Sequence, residues 1–523
     1  MIRDLGAGAE TDIALDADVL VIGAGIAGLI AATRLARAGR RVVVVESGGR
    51  VQADETHPLN AVEQLGDLYA GAEHGRFRCL GGTSTRWGGA MLPFQPADVA
   101  QTPPGWDARW PFACETLTRY RADVEKLFAL GDAPYDFPDI MPPEAGAAAD
   151  FLARRAKWPP FRLRNVATLL DESLRAEAGP EVWLNATATR FSTDPSGRLA
   201  SVTMSAPSGR TLTVRARETI IAAGAIESTR LLLLADRQHD DRIFAPDGVL
   251  GRYFYDHLSI PMARLADVRR GALNRIVGFS FEGAVMRNLR FEPSAQLRAA
   301  RALPAAFVHV GFATDAPSGF DALRDVYRKL QRRAAPGADD IRKLALAAPW
   351  LARAVWWRFV EHRLLFPDGA DFDVHVVTEQ EPRAENRIAL SATRSDMFGC
   401  PLASIDWRVH DDDAANTLAV TTAFIEAWNR GPLRALANAT LRAPADVRAA
   451  LASGGGIYHP GGSVRLGADA STGVLDAEFR AFRAPDITVL ATAAFPTGGG
   501  ANPTMMLMMA AMRAADRLAL GPR

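Results

Sequence analysis

The chain has 523 residues, 48% of them hydrophobic and 23% charged, with Lys+Arg and Asp+Glu equal at 60 each. That length exceeds one hydrophobic core and predicts two or more domains. The balanced charge lacks the basic excess of a nucleic-acid binder, so no nucleic-acid partner is expected. Cys79, Cys114 and Cys400 lie far apart, form no CxxC pair and offer no disulfide framework, which fits a reducing cytoplasm. The first 18 residues carry acids and no apolar core, so no secretory signal is expected. No apolar run is long enough to span a bilayer. Abundant Ala, Arg and Gly give the composition a bacterial cast.

Residues 18–22 read as a short apolar strand, followed by Gly23-Ala24-Gly25-Ile26-Ala27-Gly28, a helical run over 29–38, and a second buried strand over 41–45 that ends in Glu46. Strand, G-x-G-x-x-G, helix, strand and acid in that order make a dinucleotide-binding fingerprint. Gly23 permits the tight turn, Gly25 lets backbone approach a pyrophosphate, and Gly28 lets helix pack close to sheet. The helix N-terminus offers unpaired N–H groups to the phosphates. Glu46 suits the ribose hydroxyls and would repel a 2′-phosphate, which disfavours NADP. FAD and NAD both remain open on these residues, although Ser47-Gly48-Gly49 leans towards FAD.

A second glycine cluster, Arg78 to Gly89, pairs glycines with small hydroxyls, as suits backbone packed against a flat, phosphate-bearing ligand. Residues 211–214 and 218–221 are predicted as two strands, 226–235 as a helix, 485–490 as a late strand, and 502–518 as a terminal helix. The cofactor domain is therefore expected to be discontinuous, with pieces from the start, middle and end of the chain. Before the terminal helix come Tyr458-His459-Pro460-Gly461-Gly462-Ser463 and the Gly-rich approach to Asn502. His459 is a titratable imidazole suited to general-base work at neutral pH, or a structural histidine. Asn502-Pro503 reads as a helix cap, and the amide can also donate to a substrate. The run Met505, Met506, Met508, Met509 and Met512 reads as a buried helix face.

These pieces occur in the order found in the glucose–methanol–choline (GMC) oxidoreductases, and the chain resembles that family. The resemblance rests on Val21 to Glu46, Leu80 to Gly89, Ala222 to Leu234, Leu250-Gly251-Arg252 with Asp256-His257, and Tyr458 to the end. Glu379-Gln380, Asn386-Arg387-Ile388, Ile405-Asp406-Trp407 and Trp110-Pro111 with Leu117 to Tyr120 resemble its bacterial, sugar-oxidising branch. It implies an α/β fold with a Rossmann-like, discontinuous FAD-binding domain (1–95, 180–260 and 455–523). An α+β substrate domain (96–179 and 261–454) would carry a sheet covered by helices. It implies that His459 is the catalytic base and that Asn502 orients the substrate oxygen. The implied FAD contacts are Gly23, Gly25, Ile26, Ala27, Gly28, Glu46, Ser47, Gly82, Thr83, Trp87, Gly88, Gly89, Ala223, Gly224, Ala494, Asn502, Pro503 and Thr504. No metal is implied. Members that link FAD covalently carry a His where Arg86-Trp87 stands, so non-covalent FAD is implied. An Asp common in the late strand is replaced by Ala491-Thr492-Ala493, which puts that flavin contact in doubt. Asp256 and His257 are read as structural or near-flavin.

Residues 320–366 stand outside these motifs, with Arg324, Arg328, Lys329, Arg332, Arg333, Arg342, Lys343, Arg353, Arg358 and Arg363 beside Trp350, Trp356 and Trp357. Pro336-Gly337 predicts two helices, read as an inserted pair packed on its own domain, as a lid or subunit contact, or as a peripheral contact with an anionic membrane. The expected activity is FAD-dependent oxidation of a CH–OH group of a sugar, glycoside or polyol in the cytoplasm or at the inner membrane. Oxygen, a quinone or a carrier protein would be the electron acceptor. The alternatives are a non-redox lyase of the same fold, a membrane-associated enzyme acting on a lipid-linked sugar, and an FAD-containing binding protein without turnover.

Overall fold

The computed structural model describes residues 1–7, 11–52, 56–143, 148–195, 197–314, 318–331 and 335–521, the side chains of 328, 330 and 331 excepted. The expected basic residues Arg332 and Arg333, and the side chain of Arg328, lie outside the described residues.

The fold is α/β and built on two main sheets. In the first, strands run in the order Ile2–Asp4, Glu181–Leu184, Val42–Val45, Asp12–Ile22, Thr211–Ile221, Ala484–Val489, Arg480–Ala481, so start, middle and end of the chain lie side by side. The pairings from Ile2–Asp4 through Ala484–Val489 are all parallel. Such strands are buried on both faces, which is why Val42–Val45 can be four consecutive valines. Helix Ile26–Arg37 and terminal helix Thr504–Leu520 pack against each other. The methionines of the terminal helix are buried there, as their spacing suggests. The two strands expected over 211–221 are one continuous strand. Its polar middle stays paired because Arg215 sits opposite Asp16 on the neighbouring strand.

The second sheet is antiparallel, with neighbouring strands Val285–Pro293, Ala306–Ala313, Asp371–Glu379 and His257–Ala266, and Phe151–Trp158 paired to Val285–Pro293. Its side chains alternate. Leu289 and Phe291 turn to helix Asp411–Arg430, where Phe291 meets Phe424 and Trp428. Arg290, between them, points the other way and lies over Phe307.

Packing departs from the expected domain limits in two places. Strand Val62–Gly66, placed with the cofactor side, pairs with Pro401–Trp407. Trp110, Leu117 and Val124, placed with the substrate side, join the core of the first sheet. Among the described residues the insertion holds three helices, Gly319–Gln331, Ala338–Leu346 and Ala348–Phe359, where two were expected. Pro349 has no N–H to donate to the Ala345 carbonyl, so one helix cannot run through it; the chain turns at Ala347 and restarts.

Candidate active site

A cavity of about 620 Å³ opens where the parallel strands end. The fingerprint shapes one wall through backbone. Gly23 takes a φ of +107°, and a Cβ there would meet the Ala222 carbonyl oxygen at 2.5 Å. A Cβ on Gly28 would sit 2.0 Å from the Gly23 carbonyl oxygen, so helix and turn can touch only through glycine. A Cβ on Gly25 meets no protein atom within 4 Å, and Gly25 lines the cavity. The second glycine cluster docks onto this turn. Gly81 donates its N–H to the Ala24 carbonyl at 2.9 Å, and a Cβ on Gly82 would lie 2.9 Å from the Gly25 Cα.

Glu46 is buried beside the turn. Its carboxylate accepts N–H bonds from Ala24 at 3.0 Å and Gly48 at 2.9 Å. Burial pushes its carboxyl up in spite of those donors. Next to it Arg78 donates to Ser47 Oγ at 2.9 Å, Asn60 Oδ1 at 2.8 Å and Glu227 Oε2 at 2.7 Å. Burial alone would raise the Glu227 carboxyl, but Arg78, Arg230 and Arg76 hold it at about 2. The sequence reading had no role for Arg76, Asn60 or Glu227, although Glu227 falls within the matched segment Ala222 to Leu234; all three line the cavity.

The late motif forms the opposite end. Asp256, fully buried, accepts the Tyr69 hydroxyl at 2.6 Å and the backbone N–H groups of His257 at 2.6 Å and His459 at 2.8 Å. This clamp holds the turn in which Tyr458 takes a φ of +66°. Burial lifts the Asp256 carboxyl to about 6 against these donors. Gly461 and Gly462 are required by contact: a Cβ would fall 2.3 Å from the Tyr255 ring or 1.9 Å from the Tyr253 carbonyl oxygen. His459 is thereby set with Nε2 3.0 Å from Asn502 Nδ2 and Nδ1 3.3 Å from His257 Nδ1. Burial, His257 and Arg290 together hold the His459 imidazole well below the usual histidine range.

Asn502 does not cap the terminal helix. That helix begins at Thr504 with Pro503 at its cap position and no side-chain cap bond. The Asn502 side-chain oxygen instead accepts from Arg290 Nη2 at 2.9 Å. Arg290 is buried, and burial lowers its guanidinium to about 10. Glu379 holds the loop before Asn502 by accepting the Gly499 N–H at 2.9 Å, and burial lifts its carboxyl to about 7.

Of the expected contact residues, Gly28 and Ala494 do not line the cavity; Gly28 is spent on helix packing and Ala494 is buried behind the wall. The others and His459 do line it, as do Pro503 and Thr504 at the start of the terminal helix. Asp256 and His257 are nearer to the reactive end than their reading as structural or near-flavin suggested. Together with His459 their ligand atoms lie within 4.8 Å of one another. The carboxylate and both rings are already occupied by the hydrogen bonds above, so we assign no metal there.

Residues 18–58 match the model of an FAD binding domain, and residues 382–511, which span the His459 and Asn502 segments, match that of the GMC oxidoreductase family. Over these segments the chain is similar to the GMC oxidoreductases. It is an FAD-dependent enzyme of the alcohol-oxidising class. The chain is 25% identical to 6'''-hydroxyparomomycin C oxidase of Streptomyces lividus, over 96% of this chain and 91% of the relative. It is 22% identical to 2-methyl-1,2-propanediol dehydrogenase of Mycolicibacterium austroafricanum, over 95% and 94%. Among solved structures it is similar in fold to pyridoxine 4-oxidase from Mesorbium loti, with a TM-score of 0.55 and 14% identity over 96% of this chain and 99% of that one.

The cavity fits FAD: a glycine cradle that added Cβ atoms at Gly23 or Gly82 would crowd lies at one end beside Glu46, where it would hold the phosphates and a ribose, and His459 and Asn502 close the far end.

Proposed function

We propose that this enzyme oxidises a CH–OH group of a sugar, glycoside or polyol, with FAD held non-covalently and His459 as the base that takes the hydroxyl proton. The observation that carries this reading is the His459–Asn502 contact at 3.0 Å on the wall of the cavity that the fingerprint lines. When bound, FAD supplies a hydride acceptor at its N5. A substrate hydroxyl placed against both His459 Nε2 and Asn502 Nδ2, 3.0 Å apart, would give its proton to the first and accept from the second. The positive end of helix Thr504–Leu520, whose first turn borders the cavity, stabilises negative charge there. The relatives act on hydroxylated small molecules, as an oxidase in one case and a dehydrogenase in the other. Non-covalent attachment is supported by the residues at the expected linkage position: Arg86 is bonded to Gln52 and Trp87 Nε1 to the Arg164 carbonyl. Anaerobic titration of the flavin-loaded enzyme with sugars, glycosides and polyols tests the reading. Bleaching is expected, and oxygen readmission then separates oxidase from dehydrogenase. A flavin that stays yellow with every alcohol would overturn it in favour of the lyase. Release of intact FAD on acid precipitation tests the non-covalent attachment.

A second observation supports contact with an anionic membrane surface. No described helix is long and apolar enough to cross a membrane. On helix Ala348–Phe359, however, Ala352, Val355, Trp356 and Phe359 form an exposed apolar stripe, and Val360 extends it. Trp356 is 59% and Phe359 67% exposed, with the cation Arg353 beside them. An apolar stripe with interfacial aromatics and flanking cations suits shallow insertion among anionic headgroups. Co-sedimentation with anionic vesicles is expected; equal recovery with neutral vesicles, or after deletion of 338–360, would sink it.

A further inference from the structure

The hydrogen bonds around His459 form a single chain whose two ends fix the direction of every proton in it. At one end Arg290 can only donate, and its Nη2 donates to Asn502 Oδ1 at 2.9 Å. That sets the amide with Nδ2 towards His459 Nε2, 3.0 Å away. An amide nitrogen can only donate, so Nε2 is bare. At the other end the Gly499 carbonyl can only accept, so His257 Nε2, 2.8 Å away, carries the proton. Both rings are neutral at pH 7. Burial lowers His257 to about 4, with Gly499 and Asp98 opposing and Arg290 adding to the shift. Burial, His257 and Arg290 also hold His459 well below the usual histidine range. A neutral His257 protonated on Nε2 has a bare Nδ1, so His459 Nδ1, 3.3 Å away, supplies the proton between them. The two ends are independent, and both assign His459 a proton on Nδ1 and a lone pair on Nε2.

We propose that His257 and Arg290 are positioning residues that lock His459 in the tautomer whose Nε2 carries the lone pair, held by the Asn502 amide N–H until the substrate hydroxyl takes that place and gives up its proton. The proposal rests on the reading of His459 as base. In the step it serves, the substrate O–H bond breaks, an N–H bond forms on His459 Nε2, and the carbon gives its hydride to bound FAD as the alcohol becomes a carbonyl. Nδ1–H stays donated to His257 throughout, so the ring neither flips nor changes tautomer before it acts. Four aligned bonds also polarise one another, which strengthens the hold on the ring. The opposite tautomer would set an Nε2–H against the Asn502 amide hydrogens.

Histidine-¹⁵N labelling of the flavin-loaded enzyme reads the tautomer directly, with the His459 signals identified by their loss in His459→Ala. A single Nδ1-protonated, Nε2-bare ring at pH 7 is expected. An Nε2-protonated or averaging ring overturns the proposal whether or not any alcohol bleaches the flavin, and failure to bleach alone overturns only the base assignment. His257→Gln keeps an acceptor for His459 and a donor for Gly499, and should reduce flavin within a few-fold of the parent rate. His257→Leu removes both, and should slow reduction about 10–100-fold with KM little changed. Equal rates in the parent and the Leu variant, or a Gln variant no faster than Leu, also overturn it. Arg290→Met should release the Asn502 amide and populate both tautomers in the same spectrum; an unchanged spectrum would remove Arg290 from the proposal. If the Leu variant does not fold, the spectrum of the unsubstituted enzyme still decides.

Discussion

The two ends of the cavity are built from different materials. At the cofactor end the working parts are backbone: Gly23, Gly25 and Gly82 act through turns and missing Cβ atoms, and a short stretch of chain supplies most of them. At the reactive end the working parts are side chains from four distant segments, Asp256-His257, Arg290, His459 and Asn502, joined by hydrogen bonds that cross between the two sheets. The first kind of site is insensitive to side-chain chemistry and intolerant of added volume. The second tolerates changes of shape only where the direction of each hydrogen bond survives.

The comparison breaks most sharply at the glycines. Gly28→Val forces atoms into the Gly23 carbonyl, 2.0 Å from the Cβ position, and should yield protein without flavin or no folded protein, read from the flavin-to-protein absorbance ratio. Gly25→Ala meets nothing within 4 Å, so it should fold normally and lose flavin affinity alone. Equal behaviour of the two variants would refute the division between packing glycine and ligand glycine. At the reactive end, His459→Ala should keep its flavin yet slow anaerobic reduction by about 10²–10⁴-fold, measured by stopped flow. Near-parent reduction would remove His459 as base.

The pH dependence of stability sharpens the contrast further. His257 is neutral in the fold down to about 4, whereas the unfolded chain takes up its proton near 6.5. Its contribution is therefore present above about 6.5 and is lost as pH falls towards 4, by roughly 3 kcal/mol at most. Urea unfolding midpoints of His257→Gln should fall less steeply over that range than those of the parent, and equal slopes would count against a buried neutral His257. The smallest effect belongs to the surface. Trp356→Asp should change stability by no more than about 0.5 kcal/mol and leave flavin reduction intact, while vesicle binding is lost. Retained vesicle binding would move the contact elsewhere.

Much of the fold was legible because its signals are local. The G-x-G-x-x-G turn and the valine run of the next strand depend on near neighbours, and the strand over 485–490 was placed to within a residue at either end. Where the reading slipped, a distant partner decided. Strand Thr211–Ile221 continues through a polar stretch because Asp12–Ile22 pairs along its length. Asn502-Pro503 has the sequence of a helix cap, but Arg290 claims the amide oxygen. Arg290 carries no signal of its own in a strand where charged and apolar residues alternate. His257 was visible as part of a motif and unreadable as a partner of His459, because 202 residues separate them.

The sequence alone therefore pointed to a dinucleotide ligand and to a family resemblance, since backbone turns and their glycines are written in consecutive residues. The tertiary structure alone decided which nitrogen of His459 is bare and what Asn502 binds. Those properties belong to hydrogen bonds between residues 43 to 242 positions apart, and a hydrogen bond has a direction only when both its ends are in place.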